Sequence, residues 1–171
     1  MAKDYKPLDL LSKEQLKEIR EKKDWINVVS ISLNWLQIIA AMALFFYFPN
    51  VLTFLLSVVV IGSRQFALAV LAHDGAHNLL FFNEKINDFA SQWFCAFPLF
   101  SDNRPYRPYH LAHHRFTESE NDPDLSLSAP FPITKASFRR KVIRDLTGQT
   151  GFRRYSIALK SIFSSEAENF A

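Results

Sequence analysis

The sequence predicts an all-α membrane protein with one transmembrane helical hairpin, an interfacial helix and cytoplasmic amphipathic helices. The main observation is the separation of charge along its 171 residues. Between Trp25 and Ser63 there is no charged residue, whereas Lys3 to Asp24 carries seven Lys/Arg and six Asp/Glu. A soluble domain mixes charged and apolar residues more evenly, so this separation indicates a bilayer.

Residues 1–24 are predicted to be a cytoplasmic N-terminal helix. Ser12 and Gln15 have the spacing of a capping box, which would open a charged helix that continues through Lys23. We predict no secretory signal, because these residues lack a short apolar core followed by a small-residue cleavage site.

Residues 25–72 are predicted to form the transmembrane hairpin. Its two apolar stretches, 25–48 and 51–72, are separated by Pro49 and Asn50, and each is long enough as a helix to cross roughly 30 Å of hydrocarbon. The tip has no positive charge while both flanks have several, so we expect a multi-pass cell-membrane protein with both termini in the cytoplasm. The buried core of a soluble protein is a poor alternative, because 39 successive uncharged residues leave no face for water.

Residues 73–130 are predicted to hold the functional region, with an amphipathic interfacial helix at 86–100. This helix is too short to span a bilayer. Polar residues occupy one helical face and aromatic residues the other, namely Asn87, Asp88, Ser91 and Gln92 against Phe89, Trp93, Phe94 and Phe97. The proline-rich stretches 101–109 and 121–132 are predicted to be loops on either side of a short helix.

Residues 131–171 are predicted to be a basic amphipathic cytoplasmic segment. Thr134 is placed to cap a helix that starts at Lys135 and resumes between Gly151 and Phe163. The adjoining apolar stretches favour anionic lipid headgroups over nucleic acid as the partner of this segment. A solvated basic face without any partner is the alternative.

All five histidines lie in two short motifs. His73 and His77 follow the second apolar stretch, and His110, His113 and His114 follow the amphipathic helix. Residues at i, i+3 and i+4 share one face of an α-helix, so each motif brings its imidazoles together. Because clustered imidazoles are suited to metal ligation, the sequence predicts a nitrogen-rich metal site.

The residue types alone leave the identity of the metal open. Zinc, iron and copper all accept imidazole ligands. Closed structural zinc sites usually include Cys, and Cys95 is the only cysteine, which also excludes an internal disulfide.

The two motifs resemble the first and second histidine boxes of integral-membrane fatty acid desaturases and related hydroxylases and ketolases. The surrounding residues are similar as well: Asp74 follows the first histidine, Asn87-Asp88 and Gln92-Trp93 lie between the boxes, and the second box continues into Asn121-Asp122-Pro123-Asp124. The resemblance covers about residue 50 to about residue 155 and is specific in both motifs and their separation.

This resemblance implies a di-iron centre at the cytoplasmic face of the membrane, where O2 is used to remove hydrogen from a lipid acyl chain. Electrons would come from a ferredoxin or a cytochrome b5-like donor. The family's iron ligands carry over to His73, His77, His110, His113 and His114, and no other catalytic residue is predicted. The nearest candidates for carboxylates that orient the imidazole N–H groups are Asp74, Glu120, Asp122 and Asp124.

One departure from the family pattern affects the expected activity. Family members carry a third histidine box and a second hairpin, and neither occurs in this sequence up to Ala171. We therefore expect the N-terminal part of a desaturase, with little or no turnover by itself. The alternatives are a lipid or alkane hydroxylase, a carotenoid ketolase, a catalytically inactive metal-binding membrane fragment, or a structural or nucleic-acid-binding protein at the membrane interface.

Overall fold

The computed structural model describes residues 10–19 and 21–163, and every regular element among them is helical. The fold class is therefore all-α, as predicted. The chain divides into two compact units, the first ending at Cys95 and the second beginning at Ala96. Each unit contains one of the two histidine motifs.

The first unit is built on two long helices. Helix α1 (Lys13–Ile19) is followed by α2 (Asp24–Tyr47) and α3 (Val51–Ala76). By length and composition, α2 and α3 are the two helices in the described chain that are apolar enough to cross a membrane. Helix α3 continues four residues beyond the predicted end at residue 72, so the first histidine motif begins within its last turn.

The N-terminal helix is shorter than predicted. The capping box is present, because the Ser12 N–H donates to Gln15 Oε1 (2.9 Å) and the Gln15 N–H donates to Ser12 Oγ (3.2 Å). However, α1 ends at Ile19, and residues 21–23 are not helical. The Lys22 ammonium donates to the carbonyl of Asn78 (2.6 Å), and this bond joins residues 21–23 to the loop after α3. Residues 1–9 and position 20 lie outside the described residues.

Helices α2 and α3 pack against each other along apolar faces. The hydroxyl of buried Ser57 donates to the carbonyl of Ala41 across the pair (2.8 Å), and Phe45 meets Phe54 edge to face with ring centroids 5.6 Å apart. Their outer surface is apolar too, and Phe46 is 77% exposed. Such an exposed apolar surface needs a cover when the protein is in water.

A capping box fixes the start of α3. The Asn50 side chain accepts from the Thr53 N–H (3.0 Å), and the Thr53 hydroxyl accepts from the Asn50 N–H (3.2 Å). The predicted break at Pro49 and Asn50 is therefore the real boundary between the two long helices.

Helix α4 (Glu84–Ala90) continues into a π-helical turn (Ser91–Ala96) and a 3-10 turn (Phe97–Leu99). This run starts two residues before the predicted interfacial helix. Its polar side chains Asn87 and Ser91 are fully buried, whereas Phe89 and Trp93 are each 57% exposed. Most of the polar face therefore lies against protein, with Asp88 exposed, and the aromatic face lies outside, which is the reverse of a helix whose polar side faces water.

The second unit contains four helices: α5 (Asn103–Phe116), α6 (Leu125–Ser128), α7 (Lys135–Leu146) and α8 (Gln149–Phe163). The predicted loop at 101–109 is wrong, because α5 already begins at Asn103. Asp102 caps α5 by accepting from the Arg104 N–H (2.9 Å), and Pro105 lies in the first turn, where a missing N–H costs nothing. The predicted loop at 121–132 contains the single turn α6.

Helices α7 and α8 meet at a hydrogen-bonded corner. The predicted cap is present, because Thr134 Oγ1 accepts from the Ser137 N–H (3.2 Å). Gly148 makes the turn with a φ of 76°, and Asp145 accepts from the Lys141 ammonium and the Thr150 hydroxyl, both at 2.5 Å. Because the turn is short, α8 starts at Gln149, two residues before the predicted Gly151.

Candidate metal centre

The first histidine motif lies at the C-terminal end of α3. His73 is in the last turn and His77 caps the helix. Their rings meet edge to face with centroids 4.8 Å apart, and each offers a ring nitrogen within 4.8 Å of the other. His73 Nδ1 also lies 3.3 Å from Asp74 Oδ1. The i, i+4 spacing therefore produces the pairing that the sequence predicted.

Asn87 fixes the turn that follows this motif. Its amide donates to the Gly75 carbonyl (2.9 Å) and to Asn78 Oδ1 (3.1 Å), and its own Oδ1 accepts from the Leu80 N–H (3.1 Å). The side chain is fully buried, so these bonds replace water. Asn78 has a φ of 57°, which lets the chain leave the helix directly after His77.

Sequence reasoning missed the role of Asn87. It placed Asn87 on the polar face of an interfacial helix, where an amide needs no protein partner. The available signal was the polar cluster beside a metal motif, because orphan backbone groups at a helix end need partners from elsewhere in the chain.

The second histidine motif lies in the last turns of α5. His110 Nε2 and His114 Nε2 are 3.0 Å apart, and their rings are edge to face with centroids 4.5 Å apart. Tyr106 stacks on His110 one turn earlier, at a centroid distance of 5.0 Å. His110 is buried (8% exposed) and His114 is exposed, so the pair lies at the edge of the unit.

His113 is held by a buried carboxylate. Its Nδ1 lies 2.8 Å from Asp122 Oδ1, and the Asp122 side chain is 1% exposed. The same carboxylate accepts from the backbone N–H groups of Glu118 and Asp124, each at 2.8 Å. The hydrogen bond to Asp122 raises the pKa of His113 above its usual value. Burial acts to raise the pKa of Asp122, but the bonds from His113 and the two backbone groups lower it overall.

The four predicted carboxylates occupy different positions. Asp122 bonds His113 directly, and Asp74 lies beside His73. Asp124 accepts from the hydroxyl of Tyr109, with its other oxygen 3.8 Å from His113 Nδ1. Glu120 is exposed. The structure therefore brings three of the four close to a histidine, each by a different contact.

The paired nitrogens fit a metal ion. Bonds from zinc to imidazole nitrogen are about 2.1 Å long, so two such ligands at right angles on one ion lie about 3 Å apart. The His110–His114 nitrogens have this separation. Two neutral rings sharing an N–H···N hydrogen bond give the same distance, and an ion would take the place of the shared proton. All these donors are imidazoles, which suit iron, copper and zinc.

Two helices that each end in a closely spaced histidine pair define a class of helical protein whose imidazoles could hold a metal ion. The chain belongs to the fatty acid desaturase family, because the family model described as fatty acid desaturase matches residues 49–169. This match includes both histidine motifs and confirms the predicted resemblance.

A curated relative supports the assignment. Dihydrorhizobitoxine desaturase from Bradyrhizobium elkanii is 40% identical over 72 residues, which are 41% of this chain and 20% of the relative. The chain thus spans about a fifth of the length of that relative. No solved structure matches the chain significantly.

Proposed function

We propose that the chain carries the first two histidine motifs of an O2-dependent membrane desaturase that oxidises a lipid acyl chain at a di-iron centre. The observation that carries the proposal is the His110–His114 pair, whose nitrogens lie 3.0 Å apart in a chain of the desaturase family. The pair of His73 and His77 supplies a second set of donors. In this proposal the two motifs converge on one centre.

The side chains of the two motifs would have distinct roles. His73, His77, His110, His113 and His114 would hold the metal through their ring nitrogens. Asp122 would keep the proton of His113 on Nδ1, which leaves Nε2 as its ligand atom. Asp74 and Asp124 would orient the imidazoles beside them. Bound reduced iron would supply the activation of O2 that removal of hydrogen from an unactivated C–H bond requires.

The exposed apolar surfaces support a membrane location. Helices α2 and α3 have the length and composition of membrane spans, and the aromatic face of α4 is exposed. We infer that α2 and α3 cross the bilayer as a hairpin, that the run from α4 to Leu99 lies at the interface, and that both termini are cytoplasmic. An acyl chain could then approach the centre from the lipid without crossing water.

The substrate and reaction type are open to two main alternatives. Hydroxylation or ketolation of a lipid, alkane or carotenoid would use the same two motifs. The curated relative is named for dihydrorhizobitoxine, so family membership alone does not specify an acyl substrate. The electron donor in each case would be a ferredoxin or a cytochrome b5-like protein.

Metal binding is the direct test. The full chain would be purified in detergent without oxygen, loaded with Fe(II), and its iron content measured by mass spectrometry. We expect stoichiometric iron in the unchanged chain and almost none when all five histidines are changed to Ala. Every histidine lies in a motif, so no histidine can serve as a control. Gln149→Ala at an exposed position controls instead for effects of mutation and purification on the iron content. Equal iron in the two variants would contradict the proposal.

Lipid oxidation requires a separate test. Acyl and carotenoid profiles would be compared between cells that express the intact gene and cells that express its five-histidine Ala variant, with and without oxygen. A new unsaturated product that needs both oxygen and the histidines supports desaturation, and an added hydroxyl or keto group supports the alternatives. An unchanged profile with iron-loaded protein present would count against lipid oxidation.

A further inference from the structure

The second unit carries a charge asymmetry that the proposed function does not use. Residues 135–163 contain eight Lys/Arg and a single acid, Asp145. The whole chain has a formal net charge of only +3, so the other residues together are net negative, at −4. The basic character is therefore confined to α7 and α8.

Both helices also expose apolar stripes. On α7, Phe138, Val142 and Leu146 are four residues apart and share one face, and Leu146 is 83% exposed. On α8, Phe152 and Leu159 share a face, and Phe152 is 79% exposed. Tyr155 on the same face packs against Phe100 with ring centroids 5.8 Å apart, so part of this stripe is used within the unit.

Hydrogen bonds at the corner between α7 and α8 hold the two helices, and therefore their apolar stripes, in a fixed relative orientation. Asp145 bonds Lys141 within α7 and Thr150 in α8, and Arg144 Nε donates to Thr150 Oγ1 (3.3 Å). The single acid is therefore engaged in internal contacts, and six further basic residues of α7 and α8 are exposed: Lys135, Arg139, Arg140, Arg153, Arg154 and Lys160.

We propose that α7 and α8 dock on an anionic lipid surface. Their apolar stripes enter the boundary between headgroups and acyl chains, and the flanking Lys and Arg side chains contact the lipid phosphates. Charge complementarity alone also fits nucleic acid, but phosphodiester backbones give apolar stripes nothing to contact, so lipid is favoured. The inference adds a second membrane contact to the proposed function and rests on it only for the presence of a bilayer.

The test uses the full chain in nanodiscs of phosphatidylcholine, with or without phosphatidylglycerol. Leu146→Cys and Phe152→Cys variants would be labelled with an environment-sensitive fluorophore. The native Cys95 is fully buried, and burial raises the pKa of its thiol to about 12, so the introduced cysteine is labelled selectively.

Two control positions make the result specific. Ser137 lies nine residues before Leu146, about 180° around α7 at roughly 100° per residue, so a label at Ser137→Cys should stay in water. A label at Phe46→Cys on α2 reports the membrane placement of the first unit. Iodide in the buffer quenches labels that water can reach. If the label at position 46 is protected from iodide in both lipids but the label at position 146 is quenched, only the docking of α7 and α8 is overturned. If the label at position 46 is itself quenched, the membrane location is overturned.

We expect the Leu146 and Phe152 labels to shift to shorter wavelength and resist iodide in anionic nanodiscs, and to do so much less in neutral ones. Arg139→Gln combined with Arg140→Gln should lower the docked-to-free ratio on the order of ten-fold, since each basic residue near an anionic surface contributes severalfold. Equal protection in both lipids would overturn the anionic preference. Protection by added duplex DNA but not by lipid would identify nucleic acid as the partner instead.

Discussion

Asp122 orients His113 through a hydrogen bond to its imidazole, and Glu120 in the same loop makes no such bond in the structure. Asp122 is buried and accepts three hydrogen bonds, whereas Glu120 is exposed. Both were predicted as candidates, because sequence spacing places both near the second motif. Only the fold distinguishes a carboxylate that turns inward from one that stays in solvent.

The two acids provide a matched pair for mutation. We expect Asp122→Ala to weaken iron binding about 10- to 100-fold, as loss of a carboxylate that orients a ligating histidine usually does. Asp122→Asn keeps an oxygen for the backbone N–H groups and should weaken it less. Titration with Fe(II) gives the affinities, and Glu120→Ala should match the unchanged chain. Equal affinities for Asp122→Ala and Glu120→Ala would contradict the role of Asp122.

Asn87 allows a prediction about stability. Asn87→Ala removes a fully buried amide and leaves the Leu80 N–H without this partner, while the Gly75 carbonyl keeps its bond from the Asn78 N–H (3.0 Å). We expect a loss of about 2 kcal/mol in the free energy of unfolding, because a buried unsatisfied group costs about 1–3 kcal/mol. Denaturation in mild detergent measures it. Exposed Asn121→Ala is the control, and a change of comparable size there would show that the loss is not specific.

Among the helices, sequence reasoning was accurate where composition changes sharply. The start of α2 coincides with the end of the charged segment, and the start of α3 with Pro49 and Asn50. The start of α5 was missed because Pro105 and Pro108 were taken as loop signals, although Pro105 lies in a first turn. The orientation of α4 was missed as well, since a periodic pattern shows that two faces differ but not whether each meets water, lipid or protein.

The α7–α8 corner should depend on pH. Hydrogen bonds from Lys141 and Thr150 lower the pKa of Asp145 below its usual value. A lowered pKa stabilises the fold at pH values above the unfolded-state value of about 3.9, and this contribution is lost as the pH falls through the folded-state value. We expect the backbone amides of Thr147 to Gly151 to lose protection from hydrogen exchange when the pH is lowered below about 4. In Asp145→Asn this pH dependence should be absent, and its persistence would assign the effect to another group.

At the scale of the whole molecule, the family and the all-α class were predictable from sequence, because both motifs and the charge separation are local features of the chain. Convergence of the two motifs on one centre is implied by the family resemblance alone, since local features do not determine which distant segments of the chain meet. It therefore remains a proposal that can be tested by counting metal ions.

A shared centre makes a distinct prediction for paired mutations. If both motifs bind the same ions, His73→Ala with His77→Ala should remove as much iron as His110→Ala with His114→Ala, and combining all four changes should remove little more. Separate sites would instead give two partial losses that add. Iron content per chain, measured on protein of unchanged helicity by circular dichroism, decides between these outcomes.

The hydrogen bonds that hold the loop from Asn78 to Leu80 also determine the order in which this part of the chain folds during synthesis. The bonds from Asn87 to Gly75 and Leu80 span at most 12 residues, whereas those from Lys22 and Asn27 to this loop span 56 and 53. The long-range pair can form only after α2 and α3 lie side by side, and the short-range set only after residue 87 has left the ribosome. The turn that follows the first histidine motif therefore reaches its final conformation late, once the nascent chain has folded back on itself.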